Sequence, residues 1–277
     1  MKKIFLSLAL AVSMMASAQV FEVGQLTKLN TPTDTDVKVA GVSADGSYVL
    51  ITSGSNQGLR RYDVATGKTT TISTAAGAGY NVQISNDGQE LVYRESSFDK
   101  QGLRKNNIVR HNLTTVKTTT IAKGQRDMMA MANTGANVSV SINDRKIVLT
   151  KNGKTITLAP NGSHLSYIWP SISPDGTKLC YYVCGNGCWV ANIDGSGKQY
   201  IGYGVQAAKW YDNNTLVAMD SEDDGHFTTA SAIVAYTLDG KKQVLTDNSM
   251  IAMYPYTTSS AVVFSTLDGE IYVLNVK

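Results

Sequence analysis

One short pattern recurs along this chain at a spacing that leaves few folds open. Ser43-Ala44-Asp45-Gly46 precedes Tyr48 to Ile51, Ser85-Asn86-Asp87-Gly88 precedes Leu91 to Tyr93, and Ser173-Pro174-Asp175-Gly176 precedes Leu179 to Tyr181. Degenerate copies fill the gaps: Asn133-Thr134-Gly135 before Val138, Tyr211-Asp212-Asn213 before Leu216, and Thr258-Ser259 before Val262. Taking the Asp position or its counterpart as a marker gives positions 45, 87, 134, 175, 212 and 258, in steps of 42, 47, 41, 37 and 46 residues. Six units of that size match the four-stranded blades of a β-propeller.

A second marker supports the reading. Ala65-Thr66-Gly67-Lys68, Asn152-Gly153-Lys154, Asp194-Gly195-Ser196-Gly197-Lys198 and Asp239-Gly240-Lys241 each lead into a Thr- or Val-rich run, and Thr115-Val116-Lys117 is a version without Gly. Tight hairpins need left-handed positions that Gly and Asn fill without a Cβ clash. After Gln19 no stretch of ten or more residues carries 3.6-residue apolar spacing, so the mature chain is expected to be all-β. The last unit has a single strand, Ile271 to Val276, after Leu267-Asp268-Gly269. Val23 to Leu29 reads like the missing outer strand, and its pairing there would close a six-bladed ring and remove the exposed edges. A β-solenoid or a sandwich is the competing fold, but steps near 43 residues are long for a β-helix coil and neither explains the split unit.

The first eighteen residues stand apart. Lys2 and Lys3 precede an apolar run from Ile4 to Met15, and Ala16-Ser17-Ala18 places small residues where a signal peptidase needs them. Twelve helical residues would span about 18 Å against roughly 30 Å of hydrocarbon, so a membrane anchor is not expected. No Cys follows the run to carry a lipid. Residues 1–18 are expected to be a cleaved signal peptide and 19–277 a single domain, periplasmic or secreted to the cell surface. The formal charge of +3 includes the two leader lysines. The mature chain is therefore near neutral and has no long-range field for nucleic acid.

Within Trp169-Pro170-Ser171-Ile172, the stretch Ser173-Pro174-Asp175-Gly176-Thr177-Lys178-Leu179 resembles the repeat of TolB-type propellers. A similar repeat occurs in the propellers of prolyl-oligopeptidase-like enzymes. The resemblance extends over residues 21–277, with three clean copies of six, and implies the fold far more than a function. In that family the Asp-Gly turn is structural, so Asp45, Asp87 and Asp175 inherit no activity. The N-terminal α/β domain of TolB and the hydrolase domain of the peptidases have no counterpart here, which puts direct transfer of either role in doubt.

Catalytic signatures are sparse. No Gly-x-Ser-x-Gly elbow occurs, and His111, His164 and His226 lack metal-binding spacing. A lyase or hydrolase assembled across blades is the enzymatic alternative. Glu222-Asp223-Asp224 lacks the alternating acids and closing Glu of a calcium loop, so it reads as a solvated loop. No metal or other cofactor is expected. Cys184 and Cys188 flank a three-residue hairpin loop and form the disulfide candidate in an oxidising compartment, and Cys180 is expected to be a buried free thiol.

Function should sit on the face shared by the second-to-third-strand loops and the blade connections. Two such loops are expected to be long and diametrically opposed: Arg94 to Asn107 in unit 2, with Arg104 and Lys105, and Ser221 to Ser231 in unit 5, with Asp223, Asp224 and His226. Segments entering the innermost strands add Tyr80, Asn81, Arg126, Asp127, Met128, Tyr167, Trp169, Gln206 and Met250, although Trp169 and Met128 also suit packing between blades. The expected function is non-catalytic binding of a protein or peptide partner in the bacterial envelope by a monomer. A glycan or small-ligand site using the aromatic funnel is the alternative.

Overall fold

The structure is a computed structural model that describes residues 19–32, 37–125, 138–152, 154–247 and 249–277. The chain enters through strand β1 (Val23–Lys28). Blade one is β2 (Val37–Val42), β3 (Tyr48–Ser53), β4 (Leu59–Asp63) and β5 (Thr69–Ser73). Blade two is β6 (Gln83–Ile84), β7 (Glu90–Phe98), β8 (Arg104–Asn112) and β9 (Lys117–Gln125). Blade three has three described strands, β10 (Val138–Asn143), β11 (Lys146–Lys151) and β12 (Lys154–Leu158). Blade four is β13 (Tyr167–Ile172), β14 (Lys178–Val183), β15 (Gly187–Asn192) and β16 (Gln199–Gly202). Blade five is β17 (Val205–Trp210), β18 (Thr215–Asp223), β19 (Thr228–Thr237) and β20 (Lys242–Val244). Blade six is β21 (Ala252–Thr257), β22 (Ala261–Thr266) and β23 (Ile271–Val276), completed by β1 in the order β1-β23-β22-β21. All pairings within the sheets are antiparallel, and the six sheets form the expected six-bladed propeller.

The repeat is explained by its hydrogen bonds. In Ser173-Pro174-Asp175-Gly176, the Ser173 hydroxyl donates to Asp175 at 2.6 Å and accepts the Lys178 N–H at 2.9 Å, while Asp175 accepts the Thr177 N–H at 3.0 Å. Ser85 and Asp87 repeat the set, with the Glu90 N–H at 2.8 Å and the Gln89 N–H at 3.0 Å. Gly46, Gly88 and Gly176 close these turns at φ of +72°, +69° and +70°, where a Cβ would clash. The degenerate copies do the same work with other groups: Asp212 accepts the Asn214 and Thr215 N–H groups, both at 2.7 Å, and Thr258 accepts the Ala261 N–H at 2.9 Å. Neighbouring turns also bond to each other, as in Tyr48 Oη to Gly88 O at 2.8 Å and Asp175 N to Asn213 Oδ1 at 3.0 Å.

The apolar cores lie between blades. Val49, Ile51 and Tyr62 of blade one pack with Val263 and Ile271 of blade six, and Leu50 and Leu59 pack with Leu91 and Tyr93 of blade two. Val217 and Ile233 of blade five meet Val262 and Phe264 of blade six. β1 closes the ring as expected, with Leu26 opposite Leu274 and Lys28 opposite Tyr272. Glu22 and Lys277 exchange backbone hydrogen bonds at 2.9 and 3.0 Å, and Lys28 forms an ion pair with Glu270.

The two expected long loops are mostly strand. In blade two the ladder runs on to Phe98 opposite Arg104, leaving 99–103 as the turn, and in blade five it reaches Asp223 opposite Thr228. Short turn formers explain the difference. Asp99 Oδ1 accepts the Gln101 and Leu103 N–H groups at 3.0 and 2.8 Å, and Asp224 Oδ1 accepts those of His226 and Phe227 at 2.9 and 2.8 Å. With each turn so compact, the charged residues before it can stay in register.

Candidate functional site: a cavity on the propeller axis

Each innermost strand must pass the axis beside five others. Among the described residues, four of them bend there through a non-glycine residue in the left-handed region: Asn81 (φ +51°), Trp169 (+51°), Ala207 (+49°) and Tyr254 (+52°). All four stand four positions before their blade's turn residue, Ser85, Ser173, Tyr211 or Thr258. In β13, β17 and β21 the register shifts at this point, between Ile168 and Ser171, Gln206 and Lys209, and Met253 and Tyr256. These are β-bulges, which re-aim side chains. Left-handed backbone at Trp or Tyr costs about 1–3 kcal/mol each, so the surrounding fold must hold it in place. Pro170 and Pro255 follow two of the bulged residues, where the ladder lacks a bond that their missing N–H would have to supply.

The bulges surround a cavity of about 340 Å³ to which all six blades contribute. Trp169 and Pro170 of blade four and Tyr254, Pro255 and Tyr256 of blade six form much of its wall, and Tyr80, Asn81 and Asn56 stand at its lip. Gly79 lines it too: a Cβ there would sit 2.0 Å from Thr52 Oγ1, so the chain passes closer than any side chain allows. Val39, Ile142 and Ile168 add apolar surface. Among the described residues, the cations of the wall are Lys38 and Lys209. Lys38 Nζ lies 5.7 Å from the Tyr254 ring centroid and Lys209 Nζ lies 5.2 Å from that of Tyr256, both within cation–π range. Burial holds both ammonium groups below the ordinary lysine range, and burial pushes the Tyr256 hydroxyl up to about 12. Among the described residues, the lining includes no carboxylate, histidine or cysteine.

Of the residues expected at the site, Tyr80, Asn81 and Trp169 line the cavity. Trp169 also packs on the cores between blades four and five and between blades five and six, and its ring lies 5.4 Å from that of Tyr182 of its own blade at 64°. Arg94 stands behind the lip, buried, with its guanidinium 3.9 Å from the Tyr80 ring centroid. Tyr167 is a correction. It is fully buried, and its hydroxyl accepts the Asn161 N–H at 2.9 Å and donates to Gly162 O at 3.1 Å. Its place at the start of β13 puts it before the bulge, in the core between blades three and four. Gln206 lies opposite Met219 outside the lining, and Met250 packs on the core between blades five and six. Arg126, Asp127 and Met128 lie outside the described residues.

Arg104, Lys105, Asp223, Asp224 and His226 stand on the two hairpins rather than in the cavity. Lys105 pairs with Asp99 of its own hairpin at 3.8 Å. The acidic tip of the other is occupied with its turn, and no group of three metal-ligating side chains forms among the described residues. Beside these charged groups the tips also expose large apolar side chains: Phe98 and Leu103 on one, Phe227 on the other. Sequence reasoning missed Lys38, Lys209, Tyr254 and Tyr256. The paired Trp169-Pro170 and Tyr254-Pro255, each four positions before its turn residue, were the available signal.

The cysteines are arranged differently from the expected clip. β14 ends at Val183, opposite Gly187, so Cys184 leaves the pleat and lies exposed in the turn. Cys188 sits opposite Tyr182 on the face that also carries Cys180, and the Cys180 and Cys188 sulfurs are 3.5 Å apart in the core. All three are free thiols. The partner Cys188 and burial both push the Cys180 thiol well up.

No protein-family profile matches the sequence, and no curated protein matches it. Solved structures do share the fold. A TolB candidate from Agrobacterium tumefaciens superposes with a TM-score of 0.59 at 17% identity, covering 87% of this chain and 90% of that one. Oligogalacturonate lyase in complex with manganese gives 0.56 at 14%, covering 93% and 96%. A catalytically inactive virginiamycin B lyase from Staphylococcus aureus, with quinupristin, gives 0.56 at 15%, covering 91% and 99%. The likeness in fold therefore extends to a TolB candidate and to lyases alike. No helix among the described residues is long and apolar enough to cross a membrane.

Proposed function

We propose that this chain is an exported, non-catalytic propeller that binds a peptide segment of a protein partner in the bacterial envelope, anchoring it in the axial cavity. The carrying observation is the ring of left-handed bulges. Four blades hold strained backbone at one repeat position, and that position walls a cavity of about 340 Å³. Strain of this kind persists where a site needs side chains held in place. An aromatic, proline-rich wall suits an extended chain, and buried aromatics are the usual anchors of interfaces. The opposed hairpin tips, which expose Phe98, Leu103 and Phe227 among charged residues, offer a second, outer contact.

A selection of displayed random peptides on the mature protein tests this reading. Captured peptides should bind wild type and lose at least about tenfold in affinity to Trp169→Ala and to Tyr254→Ala, the loss expected when an interface anchor is truncated. Failure to capture any peptide, or binding indifferent to both substitutions, would sink it.

One observation favours a second reading, a lyase. Lys209 is held in the cavity with its ammonium below the ordinary lysine range, the environment in which a lysine becomes a proton acceptor at moderate pH. Incubation with oligogalacturonate, followed by ultraviolet absorbance of an unsaturated product, separates the two. Turnover lost in Lys209→Met would favour the lyase.

A further inference from the structure

Two cations line this cavity, and no carboxylate is among its described lining residues. Lys38 comes from blade one and Lys209 from blade five, and both are half-buried. Lys38 Nζ donates to Gly54 O at 3.0 Å. Among the described residues neither ammonium has a carboxylate partner, and their close neighbours are the faces of Tyr254 and Tyr256. Each ammonium in this partly desolvated cavity loses hydration that an aromatic face restores only in part. The fold nevertheless places them there, one on each side of the Tyr254-Pro255-Tyr256 bulge. Elsewhere the chain pairs its lysines readily: Lys28 with Glu270, Lys105 with Asp99, Lys242 with Asp220.

We infer that the axial cavity is a carboxylate-binding pocket, in which Lys38 and Lys209 together receive the acidic group of a bound peptide, an Asp or Glu side chain or the chain-terminal carboxylate. This rests on the peptide-binding reading and adds the chemistry of its anchor. An anion bound between the two lysines accepts a charge-assisted hydrogen bond from each ammonium group. The surroundings favour a peptide over an acidic sugar. A sugar carries a hydroxyl on nearly every carbon and needs directional partners for them. Apart from the lysines, the described lining side chains offering such partners are Asn56, Asn81, the Trp169 indole N–H and the tyrosine hydroxyls, while Pro170 and Pro255 present apolar edges suited to chain and aliphatic groups.

The test uses peptides captured by the mature protein. The best binder is resynthesised with each acidic residue replaced by its amide, and with an amidated C-terminus. Affinities are measured for wild type, Lys209→Met, Lys38→Met and Lys209→Arg. The pocket predicts that one acid-to-amide change weakens wild-type binding at least about tenfold, as expected for losing one member of a desolvated charge pair. That discrimination should fall to near unity in Lys209→Met and survive in Lys209→Arg. The thermal midpoint of free Lys209→Met should not fall, because the variant loses a part-buried charge that has no carboxylate partner among the described residues, and this keeps loss of binding distinct from loss of fold. Peptides that depend on Trp169 yet ignore both charge changes would overturn the carboxylate pocket and leave the binding reading standing. Capture of no peptide would remove both. Trigalacturonate binding in a Lys209-dependent manner where acidic peptides do not would also overturn the proposal, in favour of a glycan.

Discussion

Val116 shows how a single residue can depart from the repeat and keep its structure. Asn112 accepts the Thr115 N–H at 2.8 Å, as Asp63 accepts the Thr66 N–H at 2.9 Å in blade one. The next residue is left-handed in both turns, Gly67 at φ +70° and Val116 at +55°. A β-branched side chain there is strained by about 1–2 kcal/mol, and Val116 is exposed and packs on nothing that would compensate. Val116→Gly should therefore stabilise the protein by up to about 1 kcal/mol, the strain relief being partly offset by the entropy of a freer unfolded chain. An unchanged or lower denaturant midpoint would count against the strain. The thiols give a second check at this scale. Cys184 is exposed while Cys180 and Cys188 are buried, so a maleimide should label one thiol in the native protein and three after unfolding without reductant. One thiol in both states would mean that the buried pair is bridged.

The repeated turn is the element that most shaped the sequence, and its chemistry sets an acid limit. Hydrogen bonds from Ser173 and the Thr177 N–H hold the Asp175 carboxyl below its ordinary value of 3.8, and Ser85 with the Gln89 N–H does the same for Asp87. A carboxylate depressed in the folded state adds stability above its unfolded pKa and loses it as pH falls through the folded one. Stability should therefore hold steady from neutral pH to about 5 and decline below about 4, with the decline shallower in Asp175→Asn. A decline beginning near pH 6 would point to other groups. These turns were legible because their residues act locally, so three clean copies and a count of spacing were enough for the blades and their closure. The hairpins were not: Arg94 to Phe98 alternate no more clearly than a loop would, and their ladder depends on the Asp99 turn beyond them. The cavity lay further out of reach. Lys38, Lys209 and Tyr254 come from three blades and meet only once the ring closes, and the bulges that aim them leave no mark except an aromatic before a proline.

Closure is a property of the whole molecule, and residues 20–29 carry it at two seams. Leu29 packs between blades one and six, and Phe21 packs between blades five and six with its ring 4.6 Å from that of Tyr211. Gln243 of β20 reaches across to fasten the same segment, accepting the Val20 and Phe21 N–H groups at 2.6 and 2.7 Å and donating to Phe21 O at 3.1 Å. β1 itself is exposed along its length, so its contribution comes from covering the β23 edge and from these anchors. The two kinds of contribution separate by substitution. Phe21→Ala should cost about 3–5 kcal/mol, lowering the thermal midpoint by roughly 10 °C in a chain of this size, whereas Val23→Ala on the solvent side should stay within about 0.5 kcal/mol. Removing residues 19–29 should do more than either, because it uncovers a full strand edge and opens the ring, and an open sheet edge invites pairing between molecules. The truncated protein is expected to unfold at a lower temperature and to associate as concentration rises, read by calorimetry and light scattering. A truncated chain that stays monomeric with its thermal midpoint intact would mean that the blades hold together without the seam, and the axial cavity would then owe nothing to the closed ring.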